Sequence, residues 1–203
     1  MGHNRDDLAA RLRSAQRVHI VGGSGAGKSQ LAEYLGNALA LPVHHLDDIA
    51  IEQVSRRKRP SADFRTAVRE IAAGTSWIAE GIYVEWAVEL FRTADIIVWL
   101  DNVSARQAAA RIVRRFAHSA FSSARSERGI RRFTRFRDYT RELLGLTEAM
   151  RETYCYHRRS RSPGEAAVAR SRHGTAATLG QYSAKTIRLR GRRDVDALIR
   201  SVS

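Results

Sequence analysis

The sequence predicts an α/β fold, a five-stranded parallel sheet layered between helices, and three observations predict it. Short apolar runs rich in β-branched residues recur along the chain, helical stretches separate them, and the first run closes on glycines that lead straight into a helix. Runs without polar alternation belong to strands covered on both faces, so helices are expected on both sides of the sheet. The length of 203 residues suits one buried core with at most an inserted subdomain.

The elements follow in order. Residues 17–22, RVHIVG, form the first expected strand, and from Lys28 the positions Leu31, Tyr34, Leu35, Ala38 and Leu39 recur at helical spacing until Pro42 ends the pattern. PVHHLD (42–47) is the second strand, followed by a basic loop, EQVSRRKRP. Ser61 caps a helix carrying Phe64, Val68 and Ile71 that stops near Gly74. SWIAEG (76–81) and DIIVWLD (95–101) are the third and fourth strands, with Trp77, Trp86 and Trp99 assigned to the core, although Tyr83 and Trp86 also follow the third strand closely enough to line a pocket. A helix from Ser104 through Ala108, Ala109, Ile112, Val113 and Phe116 leaves Arg111, Arg114 and Arg115 off its apolar line. KTIRLR (185–190) and DVDALIRSV (194–202) supply the last strand and a closing helix. The core is thus expected over about 15–116 and 183–203, with a helical, arginine-rich lid insertion over about 117–182.

Gly22, Gly27, Lys28 and Ser29 satisfy G-x-x-x-x-G-K-[ST], and they stand where that motif works, between a strand and a helix. Gly23, Gly25 and Ala26 let the backbone curl so that successive N–H groups face a phosphate while the helix points its positive end the same way. The whole turn, Gly22, Gly23, Ser24, Gly25, Ala26, Gly27, Lys28, Ser29 and Gln30, is therefore the expected nucleotide cradle. Lys28 is expected to bridge the β- and γ-phosphates and the Ser29 hydroxyl to ligate Mg2+.

Ligands of an open parallel sheet lie beyond the carboxyl ends of its strands, where this chain places Asp47, Asp48, Glu80 and Asp101. An acid there orients the metal's waters or accepts a hydroxyl proton. Asp47 and Asp48 are equally good helix caps, and His44 and His45 carry no metal-ligand spacing, so a packed histidine is the simpler reading of one of them.

The charge is +14, and 32 of the 35 basic residues are arginine. Seventeen arginines and six acids fall between residues 106 and 172, a concentration that suits anions and admits a nucleic-acid partner beside a nucleotide. Against nucleic acid stands the lack of a recognisable nucleic-acid fold motif. The lone Cys155 excludes an internal disulfide framework and a cysteine-ligated zinc site. No apolar run approaches membrane-spanning length and the N-terminus is polar, from which a cytoplasmic, non-membrane protein is expected.

GGSGAGKS, HHLDD, WIAEGIY and RIVRR, in this order, resemble the adenylate-kinase and shikimate-kinase group of P-loop kinases, nearest to the DNA-topology-modulation or adenylate-kinase-related proteins. The likeness spans roughly 17–116 and 185–200 and implies a P-loop NTPase fold, ATP and Mg2+ as cofactors, and transfer of the γ-phosphoryl group to a small hydroxyl- or phosphate-bearing acceptor. It implies that Glu80 assists the metal beside Ser29, that Asp47 faces the acceptor, that Arg111 and Arg115 clamp phosphates, and that Arg192 or Arg193 passes the adenine. EGIYVEW departs from the group's monophosphate kinases, which place a proline and a phosphate-holding arginine after the strand-three acid and glycine; Arg56, Arg57 and Arg59 are the alternative holders.

Overall fold

The computed structural model describes residues 10–50, 61–81, 83, 86–126, 145–147, 149–157 and 171–202. The strands are β1 (Arg17–Gly22), β2 (Val43–His45), β3 (Trp77–Glu80), β4 (Ile96–Leu100) and β5 (Thr186–Leu189). They form one parallel sheet in the order β2-β3-β1-β4-β5. The helices are α1 (Lys28–Leu39), α2 (Leu46–Ala50), α3 (Ser61–Ala73), α4 (Val88–Thr93), α5 (Ala105–Ser126), α6 (Arg172–Gly180) and α7 (Arg192–Val202), with unlabelled helical stretches at 10–14, 145–147 and 149–157.

Each central strand sends alternate residues to opposite faces, and both faces are covered. Val18, Ile20, Ile78, Ile96, Val98 and Leu100 pack with Leu31 and Leu35 of α1 and Leu198 and Val202 of α7. Val21, Trp77, Ala79, Ile97 and Trp99 pack on the other side with Phe64 and Val68 of α3, Leu90 and Phe91 of α4, and Leu179 of α6. That is why the strands read as unbroken apolar runs, and it makes the fold the expected three-layer α/β/α sheet of a P-loop NTPase. β1 lies between β3 and β4, so the chain leaves it to one side first and the other later, and the crevice at that switch point opens beyond the end of β1.

Three boundaries differ from the sequence reading. The second strand stops at His45 because Leu46 turns inward, fully buried, and starts α2, which carries Asp47 and Asp48 in its first turn. The helix after the fourth strand runs on to Ser126, beyond Phe116. Residues 172–180, expected within the insertion, lay Leu179 into the core, and Thr175 is buried. The basic loop with Arg56, Arg57 and Arg59, and residues 127–144 and 158–170 of the insertion, lie outside the described residues.

The packed histidine expected at position 44 or 45 is not there, both being half-buried; the buried histidine among the described residues is His19, on which the sequence reading was silent, and it carries a prediction. His19 on β1 is 1 % exposed, donates from Nδ1 to the Ala79 carbonyl at 3.0 Å and meets Phe91 edge to face. Burial pulls its pKa from 6.5 to about 4, against the pull of the Ala79 bond. The folded state therefore prefers the neutral ring, so this stability is complete above pH 6.5 and is lost as pH falls towards 4. At about 1.4 kcal/mol per pH unit, the loss amounts to about 3 kcal/mol. Urea midpoints measured from pH 7 to pH 4 are expected to fall with that slope, and to fall less steeply in His19→Asn, which keeps a donor near Nδ1 and no titrating ring.

Candidate active site

The turn between β1 and α1 is shaped by what approaches it. Gly22 lies at φ 155° with the Leu100 carbonyl 2.7 Å from where a Cβ would stand, and Gly25 at φ 74° has the Ala108 carbonyl 2.9 Å from the same place. Any side chain at either would push β4 or α5 away from the turn. Gly27, the residue before α1, makes no side-chain cap, and the first turn of α1 holds no acid. The leading N–H groups of that helix are thus left facing the crevice with an uncompensated positive dipole end, the local condition for holding an anion.

One cavity of about 1310 Å³ lies over this turn and reaches from it to α2, α3, α5 and α7. Ser24, Gly25, Ala26, Gly27, Lys28, Ser29 and Gln30 line it, as do Asp47, Arg111, Arg115 and Arg192. Lys28 Nζ donates to the Gly23 carbonyl at 3.3 Å. Arg111 Nη1 donates to the Gly25 carbonyl at 3.1 Å, which sets its guanidinium at the turn, while Arg115 lies 5.6 Å from the Phe116 ring centroid. Arg192 is 91 % exposed, with Asp196 at 3.9 Å. Asp47 is on the cavity wall, and the wall beside it is aromatic: Tyr83 and Trp86 stack with centroids 6.0 Å apart, and both meet Phe64. Trp86 is thus a wall residue, while Trp77 and Trp99 are core.

At the foot of the turn the Ser29 hydroxyl donates to Glu80 Oε1 at 2.9 Å. Glu80 is 2 % exposed, and its other oxygen, Oε2, is buried with no hydrogen-bond partner among the described residues. A buried carboxylate oxygen left open beside a hydroxyl fits a hard cation such as Mg2+, which takes one or two protein oxygens and completes its shell with water and phosphate. Among the described residues no group of three His, Cys, Asp or Glu side chains forms an all-protein cage.

Four side chains at the site, His45, Glu33, Tyr156 and Glu152, carried no site role in the sequence reading. His45 contacts Glu80 Oε1 through Nδ1 and Glu33 Oε1 through Nε2, each at 2.8 Å. Partial burial works against its charged form, but hydrogen bonds to Glu80 and Glu33, and their charge, outweigh that and raise its pKa. The pairing of His45 with Glu80 across β2 and β3 was out of reach of local pattern, although the Ser29-to-Glu33 spacing of four on a helix was visible. Tyr156, in the 149–157 helix, lies so close under the turn that a Cβ on Gly23 would come within 2.7 Å of its ring, and Ser24 Oγ donates to Glu152 at 3.3 Å. Asp101, expected among the acids of the phosphate site, is instead gripped by two arginines: Arg172 donates to it at 2.5 and 2.8 Å and Arg188 at 3.0 and 2.5 Å.

No protein-family model matches the chain, and no curated protein matches it. Among solved structures it is similar to shikimate kinase from Acinetobacter baumannii in complex with shikimate, at 15 % identity and TM-score 0.41 over 87 % of this chain and 97 % of that one. It is similar to a gluconokinase from Sinorhizobium meliloti 1021 at 14 % identity and TM-score 0.46, over 92 % and 88 %. Shikimate kinase from Bacteroides thetaiotaomicron gives 15 % identity and TM-score 0.42, over 92 % and 96 %. The fold assigned above rests on the chain's own strand order and on the glycine turn between β1 and α1, not on these likenesses.

Proposed function

We propose that the protein is a kinase that transfers the γ-phosphoryl group of ATP to a hydroxyl of a small acceptor. The observation that carries this reading is that a single cavity is lined both by the glycine turn and by Asp47 with the Phe64, Tyr83 and Trp86 ring cluster. Its volume of about 1310 Å³ exceeds the ~300–1,000 Å³ typical of a one-ligand pocket, leaving room for a donor and an acceptor.

In this reading the N–H groups at the head of α1 and Lys28 hold the donor's phosphates, and Ser29 with Glu80 would hold Mg2+. Mg2+, when bound, supplies neutralisation of the charge on the phosphates. Asp47 accepts the proton as the acceptor's hydroxyl oxygen bonds to the γ-phosphorus and the bond to the β–γ bridging oxygen breaks, leaving ADP. Arg111 and Arg115 offset the charge spread over the transferring group, and Arg192 also lines the cavity. The aromatic wall favours an acceptor with a ring face, such as a nucleoside or a cyclic polyol.

The test is a screen of ATP consumption against separate pools of nucleosides, nucleoside monophosphates, hydroxylated metabolites and oligonucleotides, with the product identified by mass. Phosphorylation of a ring-bearing alcohol is the expected result. Consumption driven by oligonucleotides alone would move the acceptor to nucleic acid, and no consumption in any pool would defeat the kinase reading.

A further inference from the structure

We propose that His45, braced by Glu33, is the positioning residue that aims the open oxygen of Glu80 at the metal of the phosphate turn. The proposal rests on reading that turn as a nucleotide and Mg2+ site, and goes beyond it by assigning the two side chains that set the metal-facing carboxylate.

The geometry follows from two regular placements. His45 and Glu80 are direct partners in the parallel β2–β3 register, so their side chains emerge from one face of the sheet side by side. Ser29 and Glu33 stand four apart on α1, so they share one face of that helix. The two pairs meet as a chain: Glu33 Oε1 is 2.8 Å from His45 Nε2, His45 Nδ1 is 2.8 Å from Glu80 Oε1, and Glu80 Oε1 accepts from Ser29 Oγ at 2.9 Å.

The consequence lies in which oxygen is used. Both donors converge on Oε1, while Oε2 is buried and partnerless among the described residues. A carboxylate turns easily about its last torsion, and donors held on one oxygen fix the plane of the group and hence the direction in which the other oxygen is presented. When the Ser29 hydroxyl is turned to a metal, His45 is the donor that remains on Oε1 among those described. Glu33, holding the opposite ring nitrogen, keeps the imidazole from swinging away. This is the arrangement in which an outer side chain sets a ligand's orientation, and loss of such a partner typically lowers metal affinity by about 10–100-fold.

The experiment is binding, not turnover. The affinity of the full chain for ADP is measured by calorimetry with Mn2+ and again in EDTA, and bound Mn2+ is counted by electron paramagnetic resonance. The metal-dependent gain in ADP affinity is expected to fall about tenfold or more in His45→Ala. His45→Asn, whose amide N–H stands near Nδ1, is expected to restore most of it. Glu33→Ala, at a 59 % exposed position that tolerates truncation, is expected to lose about threefold. ADP affinity in EDTA is expected to be the same in all four proteins. If His45→Ala keeps the wild-type gain, or His45→Asn is as weak as His45→Ala, the positioning role is overturned while the nucleotide site stands; if Glu33→Ala alone keeps it, the bracing by Glu33 is overturned. If the wild-type chain binds no ADP, the site reading and this proposal fall together.

Discussion

Lys28→Ala is expected to cut ATP-dependent phosphotransfer by about 10²–10³-fold or more, the loss that follows removal of one preorganised charge from a developing transition-state charge. Apo stability is expected to change by less than about 0.5 kcal/mol. The second half follows from what Lys28 does without ligand. Its only described hydrogen bond is a long one, 3.3 Å, to the Gly23 carbonyl. It sits at the first position of α1, where a cation opposes the positive dipole end and where neither a capping side chain nor an acid compensates. Removing the charge thus relieves as much as it loses. Melting curves with and without ATP and Mg2+ test both halves: the apo curves should coincide, and the ligand-induced rise should shrink in the variant, since stabilisation grows with the logarithm of ligand concentration over Kd. Wild-type turnover in Lys28→Ala would defeat the assignment of the turn as donor site.

The division between what the chain shows locally and what it does not is visible at this site. The glycine turn, Lys28 and Ser29 were legible because the motif is contiguous and its context, strand before and helix after, is set by local periodicity. The three central strands were legible because burial on both faces removes polar alternation and leaves apolar runs, whereas the edge strands β2 and β5 are only partly buried and were read from short β-branched stretches beside turn signals. Asp47 was a candidate from its place after the second strand, while Arg111, Arg115 and Arg192 were candidates through the resemblance to the P-loop kinases; all four border a single cavity. What was not legible is pairing across distance. Whether His45 packs or works is decided by Glu80, 35 residues away, and whether Asp101 faces phosphate or arginine is decided 71 and 87 residues downstream. The short α4 also escaped notice, since six residues give too little periodicity to separate a helix from a loop.

The Asp101 grip connects the far side of the sheet to the turn. Arg188, on β5, stacks its guanidinium 4.2 Å from the Trp99 ring centroid while binding Asp101. Trp99 Nε1 donates to the Tyr156 hydroxyl at 3.2 Å, and the Tyr156 ring fills the space beside Gly23. A carboxylate just after β4 thereby links the arginine, the indole, the phenol and the back of the glycine turn in sequence, and Arg172 adds the first residue of α6 to the same carboxylate.

Asp101→Asn is accordingly expected to cost about 3 kcal/mol of unfolding free energy at neutral pH. Deleting one partner of a buried ion pair costs about 3–5 kcal/mol, and the low end applies because Arg172 and Arg188 remain 52 % and 36 % exposed and recover hydration when released. The pH dependence gives the prediction its sign. Burial raises the carboxyl's pKa, but hydrogen bonds from Arg172 and Arg188 and their charge outweigh it, so the folded value lies below 3.8. A depressed folded pKa contributes stability that is whole above the unfolded value and disappears as pH falls through the folded one. The gap between wild type and Asp101→Asn in urea should therefore be constant above about pH 5 and narrow steadily below about pH 4. A gap that stays constant into strong acid would mean that shape, not charge, sets the cost. Because the arginine released from Asp101 is the one stacked on Trp99, indole fluorescence and ADP affinity are expected to change together in this variant at neutral pH. Loss of stability with unchanged ADP affinity would break the link from β4 through Tyr156 to the turn.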